Sequence, residues 1–429
     1  MRAVLIALIL SLLTVSSRAG ELDRLIYLAF SSNKEVQKAK TELKISSVEF
    51  KEAVTGYFPK VELSYSRNYL NSVPTYTFSL PGLPPSGFSL FNKSFYQFKV
   101  EAVQPLFTGG RVSNSVKLRS FQERASYYTL LEVLNRVAYR VKRSYYNYLK
   151  ARAMLNVAEA TLRAAKAHYA VVKAFYDEGI VARRDLLEAQ VKLEEAKQQV
   201  VKAKGLVEVA REQLRTVVGA GKLPPLSGCL RATPVSLPPL EELIQRAYRQ
   251  RPLLKALKAA EGAARSGERL AVSSFMPELL LGISYQRTSQ YPGLSPFSST
   301  AVAVTFRFPL FEGGRRFLEL EKARLQIDKA RLSLERAKEE VRLQVVSAYT
   351  EFNSARKQLD VAKKMVEEAR ELLRDSRERY REHVGTSTEV VDAIAYLQRA
   401  RSSLVSALAD YETALAALRW AVGAGGGER

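Results

Sequence analysis

The amino-acid sequence predicts a mainly α fold with a small membrane β part: long antiparallel coiled-coil helices in an internal two-fold repeat, with four β-strands per chain. Three observations predict it. The chain is written twice, each half carries a heptad seam inside a run long enough for one very long helix, and each half interrupts its helices with two short segments of period two.

The duplication is anchored by a motif. Pro105-Leu106-Phe107-Thr108-Gly109-Gly110-Arg111 recurs as Pro309-Leu310-Phe311-Glu312-Gly313-Gly314-Arg315, an offset of 204 that persists to Val218-Gly219-Ala220-Gly221 and Val422-Gly423-Ala424-Gly425. Upstream the offset is 218, pairing Leu25-Ile26 with Leu243-Ile244 and Phe58-Pro59 with Met276-Pro277. The first half therefore holds 14 extra residues between Pro59 and Pro105. The organisation that follows is a leader at 1–19, a first repeat at 20–221 with a β-hairpin at 60–107, a connector at 222–239, a second repeat at 240–423 with a β-hairpin at 278–311, and a tail at 424–429. Pro224, Pro225, Pro234, Pro238 and Pro239 make the connector extended and non-helical.

The leader reads as a secretory signal peptide. Met1-Arg2 precedes an apolar run at 3–13, and Ser17-Arg18-Ala19 fits the small-x-small pattern before a cleavage site. The run is too short to span a bilayer, and nothing after Gly20 offers the roughly 18 consecutive apolar residues a spanning helix needs. Cleavage removes Arg2 and Arg18 and takes the net charge from +22 to +20, that is, 22 minus 2. Without a cysteine near the cleavage site, lipid attachment there is not expected.

The helices come next. Leu134, Val141, Tyr148, Leu155, Leu162, Tyr169 and Tyr176 recur every seven residues, with Val137, Ser144, Ala151, Ala158, Ala165 and Val172 three positions after the first six. The second half repeats the seam with Val345, Phe352, Leu359, Val366, Leu373 and Tyr380 as the large set and Val341, Ala348, Ala355, Ala362 and Ala369 as the small one. Large residues facing small ones let helices approach closely, which suits long antiparallel packing. The run 110–178 would make a helix of about 100 Å at 1.5 Å per residue. The runs 21–56 and 184–218 together nearly match it in length, so one long helix lies beside two shorter ones stacked end to end. The second half offers 314–381 beside 240–273 and 387–422. A rod follows, with strands at one end and the turns around Gly179 and Gly385 at the far tip.

The strands alternate. Val61, Leu63 and Tyr65 interleave with Glu62, Ser64 and Ser66; Tyr96, Phe98, Val100 and Ala102 with Gln97, Lys99 and Glu101. In the second half Leu279, Leu281, Ile283 and Tyr285 interleave with Leu280, Gly282, Ser284 and Gln286, and Val302, Val304, Phe306 and Phe308 with Ala301, Ala303, Thr305 and Arg307. Such segments are the weak signature of a transmembrane barrel, and a soluble sheet over a core gives the same alternation. In a membrane, four strands with open edges are not viable, so several chains must share one barrel. Twelve strands from three chains could leave a conducting channel.

Composition excludes other chemistry. With 429 residues, 47% apolar and 26% charged, the chain can bury a sizeable core. One cysteine, Cys229, and two distant histidines, His168 and His383, argue against a disulfide framework, a metal site and redox chemistry. The positive charge fits nucleic acid, an anionic membrane surface or solvated helix faces alike, and export weighs against nucleic acid. Gly219-Ala220-Gly221-Lys222 lacks the first glycine and the Ser/Thr of a phosphate loop and reads as a helix terminus. His168 reads as an ordinary surface or packing residue, and Cys229 as a bystander.

At this point the sequence resembles the TolC family of outer-membrane efflux proteins. The features that carry the resemblance are the duplicated Pro-Leu-Phe-x-Gly-Gly-Arg, the turn Tyr176-Asp177-Glu178-Gly179 followed by Asp185-Leu186-Leu187, and the closing Val-Gly. It covers nearly all of the chain after the leader. It implies a homotrimer with a 12-stranded β-barrel in outer-membrane lipid, a long periplasmic α-helical tunnel, and docking onto a periplasmic adaptor protein and an inner-membrane pump. It implies export in a Gram-negative-type cell, with no catalysis, no cofactor, no metal and no nucleic acid.

Residue by residue, the resemblance assigns a periplasmic aperture to Tyr380, its acidic partner Asp185, and two acidic rings at Glu389 and Asp392. The first ring is glutamate where the family has aspartate. Three residues apart, the two acids share one helix face and would stack as rings in a trimer. The family's basic residue aligns with Gly385, which cannot serve, and His383 stands where the first half has the turn glycine Gly179. Arg183, Arg184, Arg379 and Arg381 are the candidate replacement cations. The alternative for all these charges is solvation at an exposed tip. The turns bearing Gly179, Ile180, Val181, His383, Val384 and Gly385 are the expected adaptor contact, as the outermost backbone of the periplasmic end.

Two functions compete. One is a passive exit duct of a tripartite efflux or type I secretion system; the other is a non-conducting periplasmic coiled-coil scaffold or adaptor bridging the membranes. The scaffold should carry a lipid or helix anchor and compact β domains, and neither is visible in the sequence. A wide aqueous tunnel imposes little side-chain specificity, so neither substrate nor pump type is legible.

Overall fold

The structure, a computed structural model, describes residues 20–424 apart from 80, 83 and 295. The leader at 1–19 and the tail beyond 424 lie outside the described residues. The elements in order are α1 (Glu21–Ser32), α2 (Lys34–Thr55), β1 (Lys60–Tyr69), β2 (Thr75–Phe78), β3 (Ser86–Ser89), β4 (Ser94–Phe107), α3 (Arg111–Asp177), α4 (Arg183–Val218), α5 (Leu240–Gln250), α6 (Pro252–Ser273), β5 (Glu278–Thr288), β6 (Phe297–Arg307), α7 (Arg315–Arg381) and α8 (Ser387–Val422). The two long helices, α3 and α7, have 67 residues each, and α4 and α8 have 36 each. Residues 222–239 carry no helix or strand.

The structure corrects two expectations of single helices. The run 21–56 breaks at Asn33 and the run 240–273 breaks at Arg251, the same place in each repeat. Both residues are extended, with φ −67°, ψ 128° and φ −61°, ψ 120°. Asn33 breaks the helix because its side-chain oxygen accepts the backbone N–H of Glu35 at 2.9 Å, starting a new helix. Arg251 breaks it because Pro252 follows, and proline disfavours a helical residue before it.

The chain divides into two compact units. The first comprises Met1–Glu42, Tyr127–Lys255 and Glu335–Arg429. Its core is the pair of heptad seams. All eleven seam positions of the second half are buried, from Val341 to Tyr380. In the first half the small positions Val137, Ala158, Ala165 and Val172 are buried, whereas Leu134, Leu155, Leu162 and Tyr169 are half-buried. Phe352, fully buried among Ala355, Leu359, Tyr411 and Leu415, shows the large-against-small logic; burying one such ring contributes about 1.5–3 kcal/mol. The connector is tied to these helices by backbone and side-chain bonds. Glu21 accepts from the N–H groups of Ser227 at 2.7 Å and Gly228 at 3.1 Å, and Thr233 donates its N–H to Glu412 at 2.6 Å. The Tyr411 hydroxyl donates to the Thr233 carbonyl at 2.7 Å.

The second unit comprises Leu43–Ser126 and Ala256–Leu334. Its centre is a four-stranded antiparallel sheet of order β1-β4-β5-β6. Beyond the four expected strands, β2 and β3 form a separate two-stranded ribbon within the loop where the first repeat is longer than the second. Its short strands, Thr-Tyr-Thr-Phe and Ser-Gly-Phe-Ser, lie among prolines and escape a pattern search tuned to longer runs.

Candidate functional site

Two surfaces carry the candidate functional residues, one in each unit. The sheet is the first. Register places Val61 opposite Ala102, Leu63 opposite Val100 and Tyr65 opposite Phe98; it then places Val100 opposite Tyr285 and Ile283 opposite Val302. These residues form one continuous apolar face, because alternate side chains share a side of the sheet. Val61, Leu63, Tyr65, Val302, Val304 and Phe306 are between 63% and 69% exposed, so no part of the described chain covers them. The opposite face carries Glu62, Ser64, Lys99, Glu101, Ser284 and Ala301, with Lys99 paired to Glu101 at 2.6 Å. At one end of the apolar face Tyr65 stacks on Tyr96 at 6.4 Å and Phe98 meets Tyr285 edge-on at 6.5 Å. An apolar band, an aromatic row and a polar reverse side are what a barrel wall in lipid presents. The outer strands β1 and β6 each pair on one side only.

The second surface is the tip of the first unit, where α3 turns into α4 and α7 into α8. Each turn is built on a left-handed residue. Gly179 has φ +75°, and its successor Ile180 donates its N–H to the Phe175 carbonyl at 2.8 Å. The second turn uses His383 at φ +59°, the single non-glycine residue with positive φ among the described residues. Val384 and Gly385 both donate to the Arg379 carbonyl, at 2.9 and 3.0 Å. A Cβ at Gly385 would stand 3.2 Å from both the Arg379 Cβ and a Glu389 carboxylate oxygen, so a larger residue has little room there. Helix α8 then opens with Thr386 accepting the N–H of Glu389 at 3.2 Å.

The two turns frame a cavity of about 470 Å³. Of the candidates, Tyr380, Asp185, Arg184, Ile180, Val181, His383 and Gly385 line it, together with Phe175, Glu188, Thr386, Ser387 and Thr388. Glu389, Asp392, Arg183, Arg379, Arg381, Gly179 and Val384 do not. Glu389 and Asp392 are exposed near the start of α8. Tyr380 is buried, and its hydroxyl lies beside Ser387 without a hydrogen bond of good geometry among the described residues. The bond to Asp185 that the resemblance implies is thus not made within this chain. Burial and the nearby Asp185 carboxylate push the Tyr380 phenol pKa up, opposed by the neighbouring Ser387 hydroxyl. Among the described residues, Arg183, Arg184, Arg379 and Arg381 form no ion pair within the chain.

Of the two readings of His168, surface or packing, the structure bears out packing: it is 7% exposed, its Nε2 lies 2.9 Å from Ser387 Oγ, and its ring meets Tyr380 edge-on at 5.4 Å. Burial first, and then the Arg377 cation, depress its pKa to about 4. Its place beside the seam, three residues after Ala165 and four before Val172, was the available signal.

A four-stranded sheet with an uncovered apolar face, in a chain otherwise built from long coiled-coil helices, fits the class of outer-membrane proteins that the sequence resembles. Comparison with known proteins identifies the family. A family model described as outer membrane efflux protein matches residues 25–220 and 243–424, and the chain belongs to that family. It is an outer membrane efflux protein. A comparison with curated protein sequences finds no match. Among solved structures, the chain is similar to the Campylobacter jejuni CmeC outer membrane channel, with a TM-score of 0.78, 16% identity, and coverage of 95% of this chain and 86% of that one. It is similar to the Neisseria gonorrhoeae MtrE outer membrane channel in its open state, with a TM-score of 0.77, 23% identity, and coverage of 95% and 89%. The outer membrane protein VceC of Vibrio cholerae gives a TM-score of 0.76 at 15% identity, covering 95% and 97%. At these identities the likeness is one of fold.

Proposed function

We propose that three copies of the chain form one passive exit duct, each giving four strands to a 12-stranded barrel and its helices to a periplasmic tunnel. The observation that carries this reading is the sheet with two unpaired edges, β1 and β6, and an uncovered apolar face. Open edges are not viable in lipid, and β6 of one copy meeting β1 of the next removes them. In this reading 20–221 and 240–423 are equivalent repeats, 222–239 joins them, and 1–19 is a cleaved signal peptide.

The tip is the entrance. Exposed Glu389 and Asp392 stand one turn apart on α8 and would form two stacked carboxylate rings in the trimer, drawing cations to the mouth. Tyr380 and Asp185 belong to the closing contacts, and Arg183, Arg184, Arg379 and Arg381, without an ion pair among the described residues, are available to acids of a neighbouring copy. The turns carrying Gly179, Ile180, Val181, His383, Val384 and Gly385 present exposed backbone for a periplasmic adaptor, which links the duct to an inner-membrane pump that supplies the energy. The open state in which MtrE was solved supports an aperture that changes conformation.

The test is planar-bilayer conductance of the detergent-extracted mature protein beside its Glu389→Ala, Asp392→Ala variant. Discrete steps with reduced cation selectivity in the variant are expected. An unchanged selectivity removes the ring assignment, and folded trimers that never conduct favour a scaffold instead.

A further inference from the structure

One buried titratable side chain at the tip has no part in the reading above. His168 belongs to α3, in the first hairpin, and Ser387 is the first residue of α8, in the second. Their 2.9 Å bond therefore ties one hairpin to the other. Aromatic rings enclose it: Tyr380 lies edge-on to His168 at 5.4 Å, Phe175 meets Tyr380 at 5.7 Å, and His383 caps Phe175 at 4.9 Å. Apolar packing also joins the hairpins, Val172 and Ala189 sharing one buried cluster with Val366 and Val390, and the His168–Ser387 bond adds a polar tie to it.

We propose that the His168–Ser387 hydrogen bond is the latch that holds the two hairpins of each chain together in the closed tip, and that acid favours opening because the opened tip lets His168 take a proton in water, which its enclosed place between the hairpins disfavours. The proposal rests on the reading of the tip as the duct's aperture.

Burial and the Arg377 cation oppose a charge on His168, and the groups around it come from three helices. From α7 come Arg377, with Arg381 behind it, and the neutral Tyr380. From α8 come Ser387 and the positive end of the helix dipole. From α4, Asp185 acts on Tyr380, and across Phe175 stands His383. Burial and Arg377 hold the closed-state pKa at about 4, against 6.5 for an imidazole in water. The sign follows from linkage. Above pH 6.5 both closed and opened tips hold neutral histidine, and opening does not depend on this group. Between 6.5 and about 4 the opened tip takes the proton first, so each pH unit favours opening by up to about tenfold per chain. Below about 4 the closed tip is protonated too, and the dependence flattens.

Open probability in planar bilayers, followed from neutral pH down to about pH 4, tests this. The wild-type duct is expected to open progressively below about pH 6.5. Ser387→Ala should raise the open probability at neutral pH, by up to about tenfold for the loss of one neutral hydrogen bond. His168→Gln keeps an uncharged donor and acceptor and should remain closed across the whole range. An acid response that survives His168→Gln, or one that disappears in His383→Gln instead, overturns the latch, as does Ser387→Ala behaving like wild type. If His168→Gln does not assemble, Ser387→Ala decides. The Glu389→Ala, Asp392→Ala variant separates the two levels of the argument. If it alters cation selectivity while the latch variants match wild type, the latch fails and the aperture stands; if none of the variants changes the channel, the aperture reading falls with it.

Discussion

Asn33 and Arg251 make the same bond in the two repeats with different side chains. Asn33 Nδ2 donates to the Val217 carbonyl at 2.8 Å, and Arg251 Nη1 donates to the Ala421 carbonyl at 2.9 Å. Both carbonyls belong to the last turn of a helix, α4 and α8, where the backbone lacks intrahelical partners. The helix break in each repeat thus also closes the end of that repeat's last helix. Arg251 does more than Asn33. It lies 4.5 Å above the Trp420 ring and 3.5 Å from a Glu132 carboxylate oxygen, in a site where it is 1% exposed.

That burial predicts an asymmetric response to mutation. Arg251→Ala strips Glu132 of its counter-charge in a buried site, where burial already pushes the carboxyl pKa up against the pull of Arg251. The expected loss is about 3–5 kcal/mol. Arg251→Asn copies the first repeat's cap but leaves Glu132 alone, so it should recover little. Adding Glu132→Gln to Arg251→Asn removes the stranded charge and should recover most of the stability. Thermal unfolding of the detergent-solubilised protein, followed by circular dichroism, gives the comparison. Equal melting temperatures for Arg251→Ala and wild type would show that the pair contributes nothing.

The two closing glycines make a second prediction. Gly219 and Gly423 have φ of +74° and +90°, and a Cβ at each would lie 2.9 Å from the Asn33 Cα and 3.1 Å from the Arg251 Cα. Alanine at either site is strained in its backbone and pressed against the break of its own repeat, and should destabilise by at least about 1 kcal/mol. Gly205 is the control: it lies inside α4 with open space around it, and alanine there should stabilise by up to about 1 kcal/mol. Chemical denaturation midpoints of the three variants check the order, and a Gly219→Ala protein as stable as Gly205→Ala would contradict it.

How legible this was depended on the kind of signal. Period and repetition were plain: the seam from Val341 to Tyr380 and the alternation in β5 and β6 were read at their observed places, because burial on one face imposes a spacing. The breaks at Asn33 and Arg251 were not read, although Pro252 announces the second; a one-residue kink leaves the hydrophobic period almost intact. The β2–β3 ribbon has only four residues per strand and no buried face to impose a pattern. At the tip, the turns around Gly179 and Gly385 follow from the helix lengths, whereas Asp185 and Tyr380, which line the cavity, come from the family resemblance alone. The bond from His168 to Ser387 is not legible, because the two are 219 residues apart in sequence and a single buried histidine leaves no local pattern.

The face of the sheet that meets lipid is the last matter a mutation can decide. Val302 and Ala301 are neighbours on β6 and point to opposite sides, Val302 with Ile283 and Ala301 with Ser284. Both are exposed in the single chain, so exposure does not distinguish them. Chemistry does: Val302 lies in the apolar band with Leu63, Val100 and Ile283, and Ala301 shares its side with Gln286, Lys99 and Glu101. If the apolar band faces lipid, Val302→Arg places a charge in hydrocarbon at about 2–4 kcal/mol per chain, repeated in every copy of the barrel. Ala301→Arg places the same charge on the aqueous side, where an arginine is readily hydrated. Recovery of each variant in the outer-membrane fraction, and its need for detergent to be released, should therefore fall sharply for Val302→Arg and stay near wild type for Ala301→Arg. The reverse order would turn the sheet inside out, and equal tolerance of both would mean that neither face of β6 is buried in lipid.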